Sequence, residues 1–444
     1  MSQRPTAPLR RERGVATLIV VMVLFFVVSL VAAYTNRNLI FEQRTSANQY
    51  RATQSFETAQ AGLQWAVAML NGSRIDANCT PSTLLTNNTF RDRYLSIDTT
   101  SGLITANTRS GGAVLYAACV STGTDWNCSC PSNAAPSPTL PAGAGVFPAF
   151  QVRFIRDTTL SPPIPPGMIR VDAIACPRFD TTCLDIANAN SAEGRSVVST
   201  LVALQSALKT PPSAALTVRG NYNVSGTGPQ MTNADIGSGA VAVQVGGSLL
   251  SPTNPANLQA YSAPGTPRDS AYVIGDTWLA NLTTAGTLLP TLGDRMFSTI
   301  FGIAPATYRN QPSLSVVTGC PCTASQVRDA LAVSPMRPVW VDGDLAIDST
   351  GDIGSTTEPA MLVVDGSLTH TTAGVTLYGA VYARAATWNT AGGGTVQGAA
   401  IAENDFEGSG SSTYVYDATL LRLMRLRYGS FVAVPGSWKD YTPL

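Results

Sequence analysis

The side chains with the most evident chemistry are eight cysteines: Cys79, Cys119, Cys128, Cys130, Cys176, Cys183, Cys320 and Cys322. An even number suits up to four disulfides in an oxidising compartment, and the connectivity stays open at this stage. Cys176 and Cys183 are close enough in sequence to staple the loop "CPRFDTTC". The pairs in "CSC" and "CPC" are spaced too tightly for zinc knuckles. His370 is the sole histidine, so imidazole-based metal or base chemistry has a single candidate. Its setting, "SLTHTTAG", reads as a solvent-exposed turn. In "DGDLAIDSTGD", Asp342, Asp344, Asp348 and Asp352 offer hard oxygens of the kind calcium takes. Their spacing is not that of an EF-hand loop, and alternation puts Asp342 and Asp344 on one side of a strand. Solvated turns are the expectation; no metal site is assigned, no cofactor is expected, and calcium is the one ion that suits the donors. There is no GxSxG elbow, Walker loop or HExxH pair. The reading is of a protein without a catalytic centre.

Composition points to assembly instead. Charged residues make up only 13% of the 444-residue chain, about half the usual fraction, and Lys209 and Lys439 are the only lysines. Serine, threonine, asparagine and glycine take their place, as in exported β-rich surface proteins. The balance of charge is zero overall, but Arg4, Arg10, Arg11 and Arg13 crowd the start against Glu12. The remainder is mildly acidic, which gives no general grip on phosphates, and no nucleic-acid partner is expected.

From Val15 to Ala33 no residue is charged, and only Thr17 and Ser29 are polar. A helix of that length covers about 28 Å, close to the thickness of a bilayer core. The arginines before it place that end in the cytoplasm and the body on the far side. Val31-Ala32-Ala33 would serve as a signal-peptide cleavage site. The helical pattern nevertheless continues. Residues 39–70 hold no proline, and Phe56, Ala59, Leu63, Val67 and Leu70 recur at helical spacing up to the stop at Asn71-Gly72. One helix from Thr17 to Leu70 is expected, apolar in its first half and amphipathic in its second.

A short basic leader ending in glycine, followed by such a helix, resembles the type IV pilins and the pseudopilins of type II secretion. The runs "RGVATLIVVMVL" and "SFETAQAGLQWAVAML" are most similar to the PilX N-terminal family, over roughly the first 60–70 residues. The resemblance implies that a prepilin peptidase cuts between Gly14 and Val15, that Val15 becomes the N-methylated first residue, and that the apolar helix is retained. A glycine suits a cut made on an extended segment beside a membrane helix. The family's glutamate at the fifth mature position is absent: Ile19 stands there, and the first acidic residue after the leader is Glu42. Tip pseudopilins and PilX-like minor pilins share that loss. An unpaired carboxylate inside a membrane is costly, and a subunit with no predecessor has no amine to pair it with.

The fold class expected is α+β, mainly β, with this division: leader 1–14; transmembrane pilin helix 15–71; pilin-like antiparallel β domain 72–210, packed on the helix's amphipathic half; and a head, 211–444, that is β-solenoid-like or a β-sandwich. The head's signal is the recurrence of "VGGSL" (245–249), "VDGDL" (341–345) and "VDGSL" (364–368), and of "VTLYGAVYA" (375–383) in "GTVQGAAIA" (394–402). A helical insertion at about 290–335 interrupts the repeats. A basic helix, "DATLLRLMRLRY", is expected to cap the head with its arginines in solvent.

These expectations describe a non-enzymatic minor pilin near a filament tip, acting in pilus assembly or initiation and in adhesion. It would sit in the inner membrane as a single-pass protein and then enter an extracellular pilus. Its implied partners are major and minor pilins, the prepilin peptidase, the inner-membrane assembly platform and a large tip adhesin. The alternative is a signal-anchored β-rich surface adhesin outside any filament. A pectin-lyase-like β-helix enzyme would need a catalytic cluster that the sequence does not display.

Overall fold

The computed structural model describes residues 13–143, 145–157, 163–179, 194–225, 228–249, 258–263, 266–267, 272–282, 294–384, 388–389, 392–409 and 412–440. A proline-free run of 58 residues forms one helix, Arg13–Leu70. It ends at Asn71-Gly72, whose amides bond the carbonyls of Ala68 and Met69. Residues 16–53 of the helix are exposed, and burial begins only at Ser55.

The buried half of the helix lies on a six-stranded antiparallel sheet. The sheet runs in the order Trp126–Ser129, Tyr116–Ser121, Ala149–Ile155, Met168–Cys176, Ser196–Ser206 and Gly429–Ala433. Alternation along the strands turns Ala117, Cys119, Phe150, Val152, Phe154, Ile169, Val171 and Ala173 toward the helix, where they share one core with Ala59, Leu63, Ala66 and Leu70. The last strand is a correction to the division at residue 210. Gly429–Ala433 pairs with Ser196–Ser206, and Ser199 exchanges two backbone hydrogen bonds with Lys439. The end of the described chain is therefore built into the antiparallel sheet and not into the head.

Between these two strands the pairing is almost wholly parallel, as stacked coils require and hairpins of a sandwich do not. Successive coils place Val341, Val364, Ala383, Ala402, Val218, Val245 and Ile274 in one column, each directly paired with the next. A second column sets Leu345 against Leu368 and Leu368 against Trp388. All of these but Ile274, which is exposed at the end of its column, point into a continuous interior with Val339, Ile347, Leu362, Leu377 and Val381. The coil order is not the chain order. Ala214–Val218 and Tyr222–Ser225 stack on Thr395–Ala402 and Phe406–Ser409, the last full coil. The chain thus runs into the stack in its middle, builds one end, crosses by helices, builds the other end, and returns to where it began.

The level at which it returns is a composite coil. The first half of Thr395–Ala402 pairs with Thr413–Tyr416, and the second half pairs with Ala214–Val218. Gly398 divides the two halves at φ +136°, and a Cβ there would lie 1.8 Å from the carbonyl oxygen of Gly379 in the coil beneath. Only glycine fits a strand bend stacked this closely.

Helices cover the outer face of the stack. Phe297 and Phe301 of Arg295–Phe301 and Tyr308 of Pro305–Arg309 lie against Trp340 and Tyr382. Ala324–Val333 carries a Thr323/Gln326 capping box and packs on the first coils. The basic helix Ala418–Arg427 is N-capped by Asp417, as expected, but it is not an end cap. It lies along the side of the stack, burying Leu420, Leu421, Leu423 and Met424, and carries the chain back to the antiparallel sheet. Arg422 and Arg425 are exposed, whereas Arg427 is half-buried 3.7 Å from Asp92.

Candidate functional site

The element that carries function is the amino-terminal helix. Its first half exposes Leu18, Ile19, Val20, Val21, Met22, Leu24, Phe25, Phe26 and Phe41, each about half or more accessible. No soluble surface keeps so long an apolar stripe bare without a use for it. Among the described residues this is the one helix long and apolar enough to cross a membrane. Thr35 and Thr45 donate their hydroxyls to the carbonyls of Val31 and Phe41 four residues back, so these polar groups are satisfied within the helix. The backbone at Gly14 and Val15 is helical, at the second and third positions of the element. Ile19 is 56% exposed. Residues 1–12, with most of the basic leader, lie outside the described residues.

The second half is seated by small residues. Ser55, Ala59, Gly62 and Ala66 are buried at helical spacing. A Cβ on Gly62 would come within 2.8 Å of the Phe150 ring, so helix and sheet approach closely here. Ser55 shares a hydrogen bond of 2.8 Å with Ser196. The hydrophobic periodicity identified Ala59, Leu63 and Leu70 correctly, but Phe56 and Val67 sit at the flanks, only partly buried. A preference for large apolar residues hid the small-residue stripe that makes the contact. Phe56 finds its partner in Trp438, edge-on at 6.2 Å, where the chain's tail crosses the helix.

The seated half ends in a clamp that unites both units. Asn71 donates to the carbonyls of Val67 and Phe431 and accepts from the Phe431 amide. Arg337, from the strand-bearing head, donates to the carbonyls of Asn71 and Gly72, at the negative end of the helix dipole. Burial, and secondarily the charge of Arg91, push the Arg337 guanidinium down to about 9, which leaves it charged at neutral pH. Arg91 is itself buried and bonds the Met336 carbonyl, while Arg93 donates to the carbonyls of Ile75, Asp76 and Cys130. Nothing in the sequence marks these arginines, because their partners are backbone carbonyls distant along the chain.

The other candidates serve the fold. Three disulfides join Cys79 to Cys130, Cys119 to Cys128 and Cys320 to Cys322. The two cysteines of "CSC" thus go to different partners. Cys176 is also disulfide-bonded, and Cys183, its expected partner, lies outside the described residues. His370 is a correction: it is 3% exposed, not in solvent. It closes the strand Leu368–His370, which carries the second column, beside Gly394, where a Cβ would lie 2.0 Å from the ring. Burial lowers its affinity for a proton. Of the four aspartates Asp348 is exposed, and the other three serve the fold. Asp342 pairs with Arg309 at 2.8 Å, Asp344 accepts from the Ser367 amide, and Asp352 accepts from the Thr376 amide. Asp405 and Asn221 repeat the Asp344 contact, accepting from the amides of Asn221 and Ser248 in the next coil. Among the described residues, no three His, Cys, Asp or Glu side chains come together as a metal site.

Among the described residues, Arg384 makes the one dense ionic cluster. It holds Asp294 and Asp365 at 2.7 Å and Glu403 at 3.2 Å, and lies over the rings of Phe297 and Trp340. This network joins three coil levels to the outer helices.

No curated protein matches the chain by sequence. Among solved structures, the competence-associated pilin ComZ from Thermus thermophilus aligns over 88% of this chain and 97% of its own, at 9% identity and a TM-score of 0.18, a superposition too loose to bear on the fold. Residues 13–64, the exposed half of the long helix and most of its seated half, match the PilX N-terminal family, so this segment is similar to the amino-terminal part of PilX-like type IV pilins.

Proposed function

We propose that the protein is a non-enzymatic minor type IV pilin, held first in the inner membrane by the apolar half of its helix and then incorporated, at or near the tip, into an extracellular filament. The observation that supports this most is the continuity of the helix. The bare apolar half and the seated half form one unbroken element, Arg13–Leu70. Cleavage after Ala33 would sever that element and leave a stub of polar helix projecting from the sheet. Cleavage after Gly14 removes the arginines and keeps the whole rod, which then exchanges lipid for the helices of neighbouring pilins. Processing by the prepilin peptidase, N-methylation at Val15 and assembly by an inner-membrane platform belong to this reading.

Ile19 supports a place without a preceding subunit, since there is no carboxylate to neutralise a neighbour's amine in an apolar surround. The bulk of the coil stack supports a role at the end of the filament, where it would contact a larger tip adhesin or a surface. The test is processing in a host that assembles pili. Gly14→Val should accumulate as the unprocessed, membrane-bound form and be absent from sheared filaments, while the wild-type chain is found in both membrane and filament fractions. A processed and filament-borne Gly14→Val protein would refute the peptidase reading. Wild-type protein confined to the cell envelope would favour a signal-anchored adhesin.

A further inference from the structure

We propose that the Cys320–Cys322 disulfide is a thiol-exchange site on the head, where an external thiolate is captured covalently on Cys320. The bridge spans a sequence separation of only 2, against 51 for Cys79–Cys130. Stabilisation through loop closure grows with the length of chain enclosed, so this bridge constrains the unfolded chain least. Its constraint on the fold is also dispensable. Cys322 is already fixed by its amide, which bonds the Asp344 carbonyl of the next coil, and by the following Thr323/Gln326 capping box.

The two cysteines differ in exposure. Cys320 is half-buried in a turn whose neighbours Thr318, Gly319 and Pro321 are exposed. Cys322 is 1% exposed and belongs to the coil interior with Val317, Val327 and Leu345. Cys79–Cys130 is buried at both ends, and Cys119–Cys128 pairs a buried with a half-buried cysteine but encloses a longer loop, with a separation of 9. Attack is thus directed to one atom. The external thiolate bonds Cys320 Sγ, the Cys320–Cys322 bond breaks, and Cys322 Sγ departs with the electron pair and takes a proton from water. The incoming sulfur is oxidised to the mixed disulfide as Cys322 is reduced to a thiol. Cys322 lies two residues before Ala324, the first residue of Ala324–Val333, and its apolar surroundings favour the protonated thiol over the thiolate. Once protonated, Cys322 is a small apolar side chain in an apolar core, so the opened form keeps its packing.

The full-length protein in detergent is incubated with reduced glutathione, or in parallel with an unfolded cysteine-containing peptide, then quenched with N-ethylmaleimide and mapped by peptide mass. The adduct should form on Cys320 faster, by on the order of tenfold or more, than on Cys79, Cys119, Cys128, Cys130 or Cys176. Cys322 should take up maleimide only after denaturation. Adduct in the glutathione arm alone assigns a small thiol as the partner; adduct in both arms assigns a protein thiol as well. Cys322→Ser should label at Cys320 with no reductant and an unchanged circular dichroism spectrum, and Cys320→Ser should form no adduct while folded. Modification of any other cysteine ahead of Cys320, or no adduct on Cys320 in either arm while Cys322→Ser labels normally, overturns the proposal.

Discussion

Single side chains decide how firmly the rod is joined to its cargo. Arg337 satisfies the two carbonyls that follow the helix end, Asn71 and Gly72, and it does so from the opposite structural unit. Arg337→Ala should lower the unfolding free energy by about 1–3 kcal/mol, the range for orphaning buried carbonyls, as read by chemical denaturation of the full chain in detergent. The gain from relieving repulsion with Arg91 makes the lower part of that range the expected one. At Gly62 the sign is set by space. Valine there would gain helix propensity but drive its side chain into Phe150, and a net loss of about 1–3 kcal/mol is expected in the same assay. His370 supplies a pH dependence. Its proton affinity is depressed in the fold, so both states are neutral above the ordinary value near 6.5, and the unfolded chain binds the proton first below it. The head should therefore lose stability as pH falls through and below about 6.5. His370→Gln should flatten that part of the profile; an unchanged slope in the variant would show that other groups produce it.

At the scale of elements, the bends and corners hold the coils in register. Gly398→Val places a side chain where the Gly379 carbonyl already lies, at a φ that L-residues avoid. The expected result is loss of hydrogen-exchange protection across Thr376–Ala383 and Thr395–Ala402, with the antiparallel sheet still protected. Much of this architecture was legible. "VDGDL" and "VDGSL" stack as the same corner, Val341 on Val364 and Leu345 on Leu368, because each needs an inward aliphatic on both sides of a glycine turn. The copies at Arg219-Gly220-Asn221-Tyr222 and Glu403-Asn404-Asp405-Phe406 escaped notice. Their inward positions are aromatic, Tyr222 stacked on Phe406 at 5.5 Å, and their corners hold asparagine and aspartate. The permuted coil order was invisible for a different reason. It follows from where the two chain segments meet in space, at the composite coil, and no local pattern encodes that meeting. His370 was misread for want of the same information: a threonine- and glycine-rich context signals a turn, but the residue itself is the end of a strand whose other face is interior.

At the scale of the molecule, the permutation has a mechanical sense. The chain enters and leaves the coil stack beside one place, with Ser206 paired to Gly429, so the head is tied to the antiparallel sheet by two adjacent strands and by the helix-end clamp. A subunit at a filament end would transmit load through that sheet to the seated half of the helix. On the proposed function, the bare half of the helix is the part that exchanges lipid for protein; the match to the PilX N-terminal family covers it and most of the seated half. The account therefore turns on whether that half survives maturation. Intact-mass and amino-terminal determination of the protein recovered from a pilus-forming host measures this directly. The account predicts a chain beginning at Val15 and carrying one added methyl group; a chain beginning at Tyr34, or one retaining Met1, would contradict it.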